Sequence, residues 1–400
     1  MAHPNTGAPE DMPTDWIAVT VLPNVMLAES VEGGLLALAP PSDPRVAAIF
    51  EDTPNLKVFL NRFTDAFRQK VRPSVLLVRS DAPRSLVTVE GIAGFRDALS
   101  TSIITHSRAL ELRYPIGHRI NHSDTFGFYP WMLDRHGEHL VARTPAMLAL
   151  HDVNEFRGQS WPNGSVATLS RSDIDMTLFG ELMTRLERRF STLKPTWRDT
   201  ALFRSLNMAN EASRAPAGPD ATIYDYGRST ALWVSAFEIL AHPGAGGKSE
   251  LSTVYTLLES VSYISRLHKL RRHKAHPYRG DKQKRRILAC QLYGLIYKAR
   301  NAFLHGNPVS VKTLRIPGRQ ASLYQCAAPL YRLALTTFLD LKWKHPAPHP
   351  SDPHALGNWI SDSMSYDSYQ RTIEQGLLAA VGKDPSKRIK SRMRAGGSGR

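Results

Sequence analysis

The apolar residues change period part-way along this chain, and that change limits what it can fold into. Before about residue 165 the apolar runs are short, rich in branched side chains and broken by turn residues, as strands are. They fall at 16–27, 35–38, 74–78 and 86–89, interrupted by helical patterning at 56–68 and 92–110 and followed by aromatic, turn-punctuated sequence over 126–161. From about residue 196 the spacing becomes three and four, predicting helices over 200–213, 226–240, 250–267, 286–305 and 321–343. In the third of these Leu251, Val254, Leu258, Val261 and Ile264 line one face. The expected fold is therefore an α+β N-terminal domain followed by an all-α helical bundle. Residues 1–14 read as a disordered tail, 15–195 as the α+β domain ending in a connecting helix near 173–190, and 196–345 as the bundle. Residues 346–400 read as a linker and a basic disordered tail, with a weak helical patch over 369–381.

A chain of 400 residues, 42% of them hydrophobic, can bury real cores. Its two cysteines, Cys290 and Cys326, cannot build a disulfide framework, which suits a reducing compartment, so the cytoplasm is expected. No stretch has the length and apolarity of a signal peptide or a membrane span, so no membrane partner is expected. Charge is uneven: residues 1–200 carry 21 Lys and Arg against 23 Asp and Glu, whereas 201–400 carry 30 against 13. Such asymmetry points the second half at a polyanion, or else marks a merely solvated basic surface.

The densest cluster is 266–286, with ten cations and one acid, Asp281. Arg266, Lys269, Arg271, Arg272, Lys274, Arg279, Lys282, Lys284, Arg285 and Arg286 are the candidate RNA-binding residues, supplying phosphate affinity blind to base sequence. Tyr278 could add stacking. Other motifs fail on inspection. The Pro-Gly-Ala-Gly-Gly-Lys-Ser run over 243–249 has His242 where a phosphate-binding loop needs glycine, and a helix where it needs a strand. His118 and His122 stand four apart beside Asp124, but Pro115 and Gly117 oppose a helix there. His345, His349 and His354 lie in low-complexity sequence, and no Gly-x-Ser-x-Gly elbow occurs. No metal site and no cofactor is expected.

The end of the fourth bundle helix is the informative place. Arg followed five residues later by His occurs three times, but only Arg300 and His305 close an amphipathic helix, and only they have Asn301 after the arginine. At about 100° per residue, Leu288, Leu292, Leu295, Ile296, Ala299 and Phe303 form one stripe. Asn301 and His305 lie almost opposite it and Arg300 flanks them, so this trio faces away from its own core. Arg and His also suit the last turn of any helix, and Gly306 before Pro308 is an ordinary stop.

On these residues the helical half resembles the HEPN superfamily, most closely its ApeA-like branch, whose signature is Arg, a polar residue, three variable residues and His near the end of a late helix. Arg300, Asn301 and His305 match it position by position, Gly306 follows, and the apolar helix at 236–240 resembles the family's early helix carrying one acid, Glu238. The likeness covers about residues 196–345; residues 15–165 resemble no family known to us. It implies a metal-independent endoribonuclease, active as a homodimer whose two motifs meet in a cleft. By analogy it also implies a toxin or anti-phage defence effector, which leaves room for an antitoxin or a trigger protein.

The chemistry suits the residues. Attack of the RNA 2′-OH on the adjacent phosphorus needs a group titrating near neutrality, as His305 can be, and a fixed cation for the phosphate oxygens, as Arg300 can be. Asn301 can orient a phosphate or the partner subunit. Arg300 and His305 stand about 140° apart on one helix, so a second copy would help them converge. Glu238, set among apolar residues, either pairs with a basic group of the motif helix such as Arg300 and orients it, or is partly exposed. The rivals are a HEPN-like bundle that binds RNA or protein without cutting, and an activity carried by the N-terminal domain alone.

Overall fold

The computed structural model describes residues 16–383 apart from 66, 116–121, 145, 159–166, 193, 215–220, 282–284 and 342–346. The expected N-terminal tail, His118, Lys282, Lys284, His345 and the basic tail beyond residue 383 lie outside the described residues. Two compact units emerge, one formed by Met1–Ile92 with Thr125–Ser170 and the other by Ala93–Asp124 with Arg171–Arg400.

The first unit is α+β. Its strands are β1 (Trp16–Leu22), β2 (Val25–Leu27), β3 (Val31–Glu32), β4 (Leu36–Ala39), β5 (Ser74–Arg79), β6 (Met132–Leu133), β7 (His139–Thr144), β8 (Met147–Asp152) and β9 (Ala167–Leu169). An antiparallel sheet runs in the order β1-β5-β4-β3, β2 pairs with β9 in parallel, and β6, β7 and β8 form a separate meander. β5 is an interior strand, which is why its run Val75, Leu76, Leu77, Val78 is apolar throughout and fully buried. Against the sheet pack helices α1 (Pro44–Asp52) and α2 (Pro54–Leu60). The aromatic stretch contributes Tyr129 and Phe156, whose rings close on Phe59 and Phe63 at centroid distances of 4.8 to 6.0 Å.

Residues 86–89, expected as a strand, instead form a turn leading into helix α3 (Val89–Arg113). The Thr88 hydroxyl accepts from the Gly91 amide at 3.2 Å, so a side-chain cap starts the helix early. Most of α3 belongs to the second, helical unit, as does α4 (Met176–Ser191); the boundary therefore falls inside the segment expected to be wholly α+β. The cause is burial on more than one face. Ala98, Leu99, Ile103 and Ile104 are covered, and so are Asp97, Ser100 and Ser102; Ser100 donates to Asn210 at 2.9 Å.

The bundle comprises α5 (Trp197–Ser213), α6 (Ile223–Ala241), α7 (Leu251–Glu259), α8 (Arg266–Lys269), α9 (Leu288–Leu304), α10 (Leu323–Phe338) and α11 (Pro353–Ala380). α6 is its centre and touches α5, α7, α9 and α10. Trp233, Val234, Ala236 and Phe237 are accordingly buried. Residues 353–380, expected as linker and tail save for a short patch, form one helix packed on α10. The third expected helix stops at Glu259 rather than at 267, because the buried Glu374 carboxylate accepts from the Ile264 and Ser265 amides at 2.9 and 2.7 Å and starts α8 anew. Among the described residues no helix is long and apolar enough to cross a membrane.

Candidate functional site

α9 carries the expected stripe inward: Leu288, Leu292, Ile296 and Ala299 are buried, Leu295 and Phe303 half-buried. Its last turn closes as a glycine stop. Gly306 adopts φ +68°, the His305 amide donates to the Asn301 carbonyl at 3.0 Å and the Asn307 amide to that of Ala302 at 3.0 Å. His305 is the cap residue and is exposed; Arg300 and Asn301 are half-buried. An Arg300 terminal nitrogen donates to Asn301 Oδ1 at 2.9 Å, which sets the orientation of the amide. The guanidinium also lies 5.9 Å from the Tyr297 ring centroid, held by the aromatic face rather than by a carboxylate. Its Nε is buried and finds no hydrogen-bond partner among the described residues.

α6 and α9 run antiparallel. Gly227 sits against Phe303, where an added Cβ would come within 2.2 Å of the ring, and Phe237 packs on Tyr293 at 4.9 Å. Glu238 therefore lies level with about Leu292, some 12 Å along the axis from Arg300. Side chains lean toward their own helix N-terminus, so the two lean toward each other. They do not close an ion pair: Glu238 feels the Arg300 charge, but no nitrogen–oxygen contact within pairing distance forms. Burial raises the Glu238 carboxyl above its ordinary value, and Arg300 opposes that shift. Between them stands Tyr293, whose hydroxyl is buried without a hydrogen-bond partner among the described residues and is pushed well above the usual phenol range by burial. Tyr293 and Tyr297 were not singled out from the sequence, although their places seven and three residues before Arg300 put them on its side of the helix.

The basic segment is folded, not a solvated loop throughout. His273 and Arg286 form an antiparallel bridge, with backbone bonds of 2.9 and 2.8 Å. Arg286 is buried; its terminal nitrogens reach Glu259 at 3.2 Å and Asp281 at 2.9 Å, and its guanidinium lies over Tyr255 and Tyr278. It is therefore a structural cation, as is the buried Arg332 paired with Asp175 at 2.7 Å. Arg271 leans on Glu259 at 3.6 Å, and Arg285 donates to the Arg272 carbonyl. Arg266, Lys269, Arg271, Arg272, Lys274, Arg279 and Arg285 are exposed.

The segment reaches the motif helix at its middle. The Tyr255 hydroxyl donates to the His276 carbonyl at 2.8 Å, and both press on Gly294, where a Cβ would lie 2.5 and 2.8 Å from them. The His276 ring is 6.0 Å from that of Tyr297, which carries Arg300. His122, the remaining described member of the histidine pair, is buried, bonded to Ser107 at 3.1 Å and pushed down to about 3 by burial. The run over 243–249 joins α6 to α7 as a turn, with Gly244 and Gly246 at positive φ. No family model, curated protein or solved structure matches the chain.

Proposed function

We propose that the chain is a metal-independent endoribonuclease of HEPN type. The observation that carries this reading is the end of α9, where Arg300, Asn301 and an exposed His305 lie within about one and a half turns and Arg300 has, among the described residues, no carboxylate within pairing distance. An arginine held by an aromatic ring and an amide keeps its charge for a phosphate. His305 acts as the acid or base on the 2′-OH or the leaving 5′ oxygen, and Arg300 takes the charge gathering on the phosphate oxygens. Tyr297 and Asn301 position the guanidinium.

The active form is a homodimer. Tyr224, Leu304 and Val311 border the motif at 68, 56 and 57% exposure, apolar surface that a second copy would cover while completing the site. RNA reaches the motif along the exposed cations of the basic segment, joined to it through His276 and Tyr297. Role as a toxin or defence effector rests on family analogy alone.

The deciding experiment is incubation of purified protein with single-stranded RNA in EDTA, beside the His305→Ala variant. Cleavage leaving a 2′,3′-cyclic phosphate and a 5′-OH, with DNA untouched and the variant inactive, is expected. RNA bound but left intact by the parent protein would make the bundle a binding module instead.

A further inference from the structure

The opposite end of α6 holds a feature that RNA cleavage does not use. His242, which caps α6, is 15 residues beyond Gly227, so it lies about 22 Å along the helix from the Gly227–Phe303 contact beside the motif. There the start of α5 and the ends of α6, α7 and α10 enclose an open cleft of about 530 Å³, within the range of small-ligand sites. Trp197 stands at its wall with 42% of its surface exposed, an unusual state for the largest side chain; its ring meets that of His242 edge-on at 5.5 Å, and the Arg204 guanidinium lies 5.8 Å from its centroid. Arg198 is next to it. Its guanidinium lies over the Phe338 ring at 4.6 Å and donates to the Phe338 carbonyl, so the cation is fixed in place with further N–H groups in hand.

Thr256 and Ser260 add hydroxyls, and Leu240 and Leu257 add apolar surface. Among the described residues no aspartate or glutamate lines the cleft. A part-exposed aromatic wall, a fixed guanidinium, hydroxyls and, among the described residues, no lining carboxylate together suit a ligand with a planar ring, a hydroxylated middle and an anionic end. We infer that the cleft binds a nucleoside monophosphate, its base against Trp197 and its phosphate at Arg198. The site is independent of the chemistry assigned to Arg300.

Calorimetric titration of the full-length protein with AMP, adenosine and inorganic phosphate tests this. AMP is expected to bind saturably, one per chain, with adenosine and phosphate each weaker by about tenfold or more. Trp197→Ala and Arg198→Gln should each weaken AMP by about tenfold. Thr256→Trp fills the cleft from an exposed position of α7 without removing a core contact, and should abolish binding even if the Trp197 variant fails to fold. Arg300→Ala should leave AMP affinity unchanged. No saturable AMP binding by the parent protein, binding that survives Thr256→Trp, or binding lost in Arg300→Ala would each overturn the assignment.

Discussion

The two ends of α9 carry the same kind of side chain in opposite conditions. At its entry Arg286 is buried, bonded to Glu259, Asp281 and Tyr278 and stacked on two rings; at its exit Arg300 is half-exposed and bonded only to a neighbouring amide. Charge density marks the first place and not the second, for ten cations crowd into 266–286. A paired, buried cation is committed to the fold, because its carboxylates would otherwise be left charged in a poor solvent. A cation held by aromatic and amide contacts keeps its electrostatic demand open for a ligand. Arg286 and Arg300 both leave a buried Nε without a hydrogen-bond partner among the described residues, so what separates them is the carboxylate pairing of Arg286.

The contrast can be broken most forcefully at Arg286. Arg286→Ala leaves Glu259 and Asp281 without their shared cation, and should cost about 3–5 kcal/mol in urea unfolding. Arg300→Ala removes no buried pair and should cost about 1 kcal/mol or less. Equal losses would erase the distinction between the two ends. The reverse ranking is expected in activity: Arg300→Ala and His305→Ala should each lower RNA cleavage by roughly 100-fold or more while the variants remain folded by circular dichroism.

A smaller effect separates the exposed cations from the buried one. Replacing Arg266, Lys269, Arg272 and Lys274 by serine should flatten the salt dependence of single-stranded RNA binding by up to about 3 in the log–log slope, at about 0.7 per phosphate contact. Affinity should fall evenly across RNA sequences, and the cleavage rate at saturating RNA should hold. An unchanged slope would return the segment to a scaffold for α9.

How far the sequence could carry these distinctions depends on range. The buried stripe of α9 and the exposure of His305 follow from a local period and so were legible, whereas Arg300 and Asn301, expected to face away from the core, are half-buried. The burial of Arg286 was not legible, since Glu259 lies 27 residues away and only the fold brings it near. α11 escaped notice because its buried face includes Gln370 and Glu374 while Ile360 and Met364 are exposed, which inverts the usual pattern. The same Glu374 ends α7 early from about 110 residues away, against an apolar period that continued to Ile264. α3 hid its affiliation similarly, with Asp97, Ser100 and Ser102 covered among its apolar residues. Polar groups buried by distant partners are what a local period cannot reveal.

The smallest expected effect concerns Glu238, the acid beneath the open end. Burial raises its carboxyl above the ordinary 4.5, and Arg300 only partly opposes this. Below pH 4.5 the group is protonated in both folded and unfolded chains and does not bias folding. As pH rises through that value the unfolded chain ionises first, so the folded state binds more protons and loses stability. Glu238→Gln removes the titration while keeping the shape. The variant should therefore gain on the parent protein as pH climbs from 4.5 toward neutrality, and the two should converge below it. Urea midpoints measured between pH 4 and 8 read this difference directly. A difference flat across that range would mean that Glu238 is as well served folded as unfolded. It would then stand as a satisfied structural carboxylate like Glu259, and the open end of α9 would have one less element of its own.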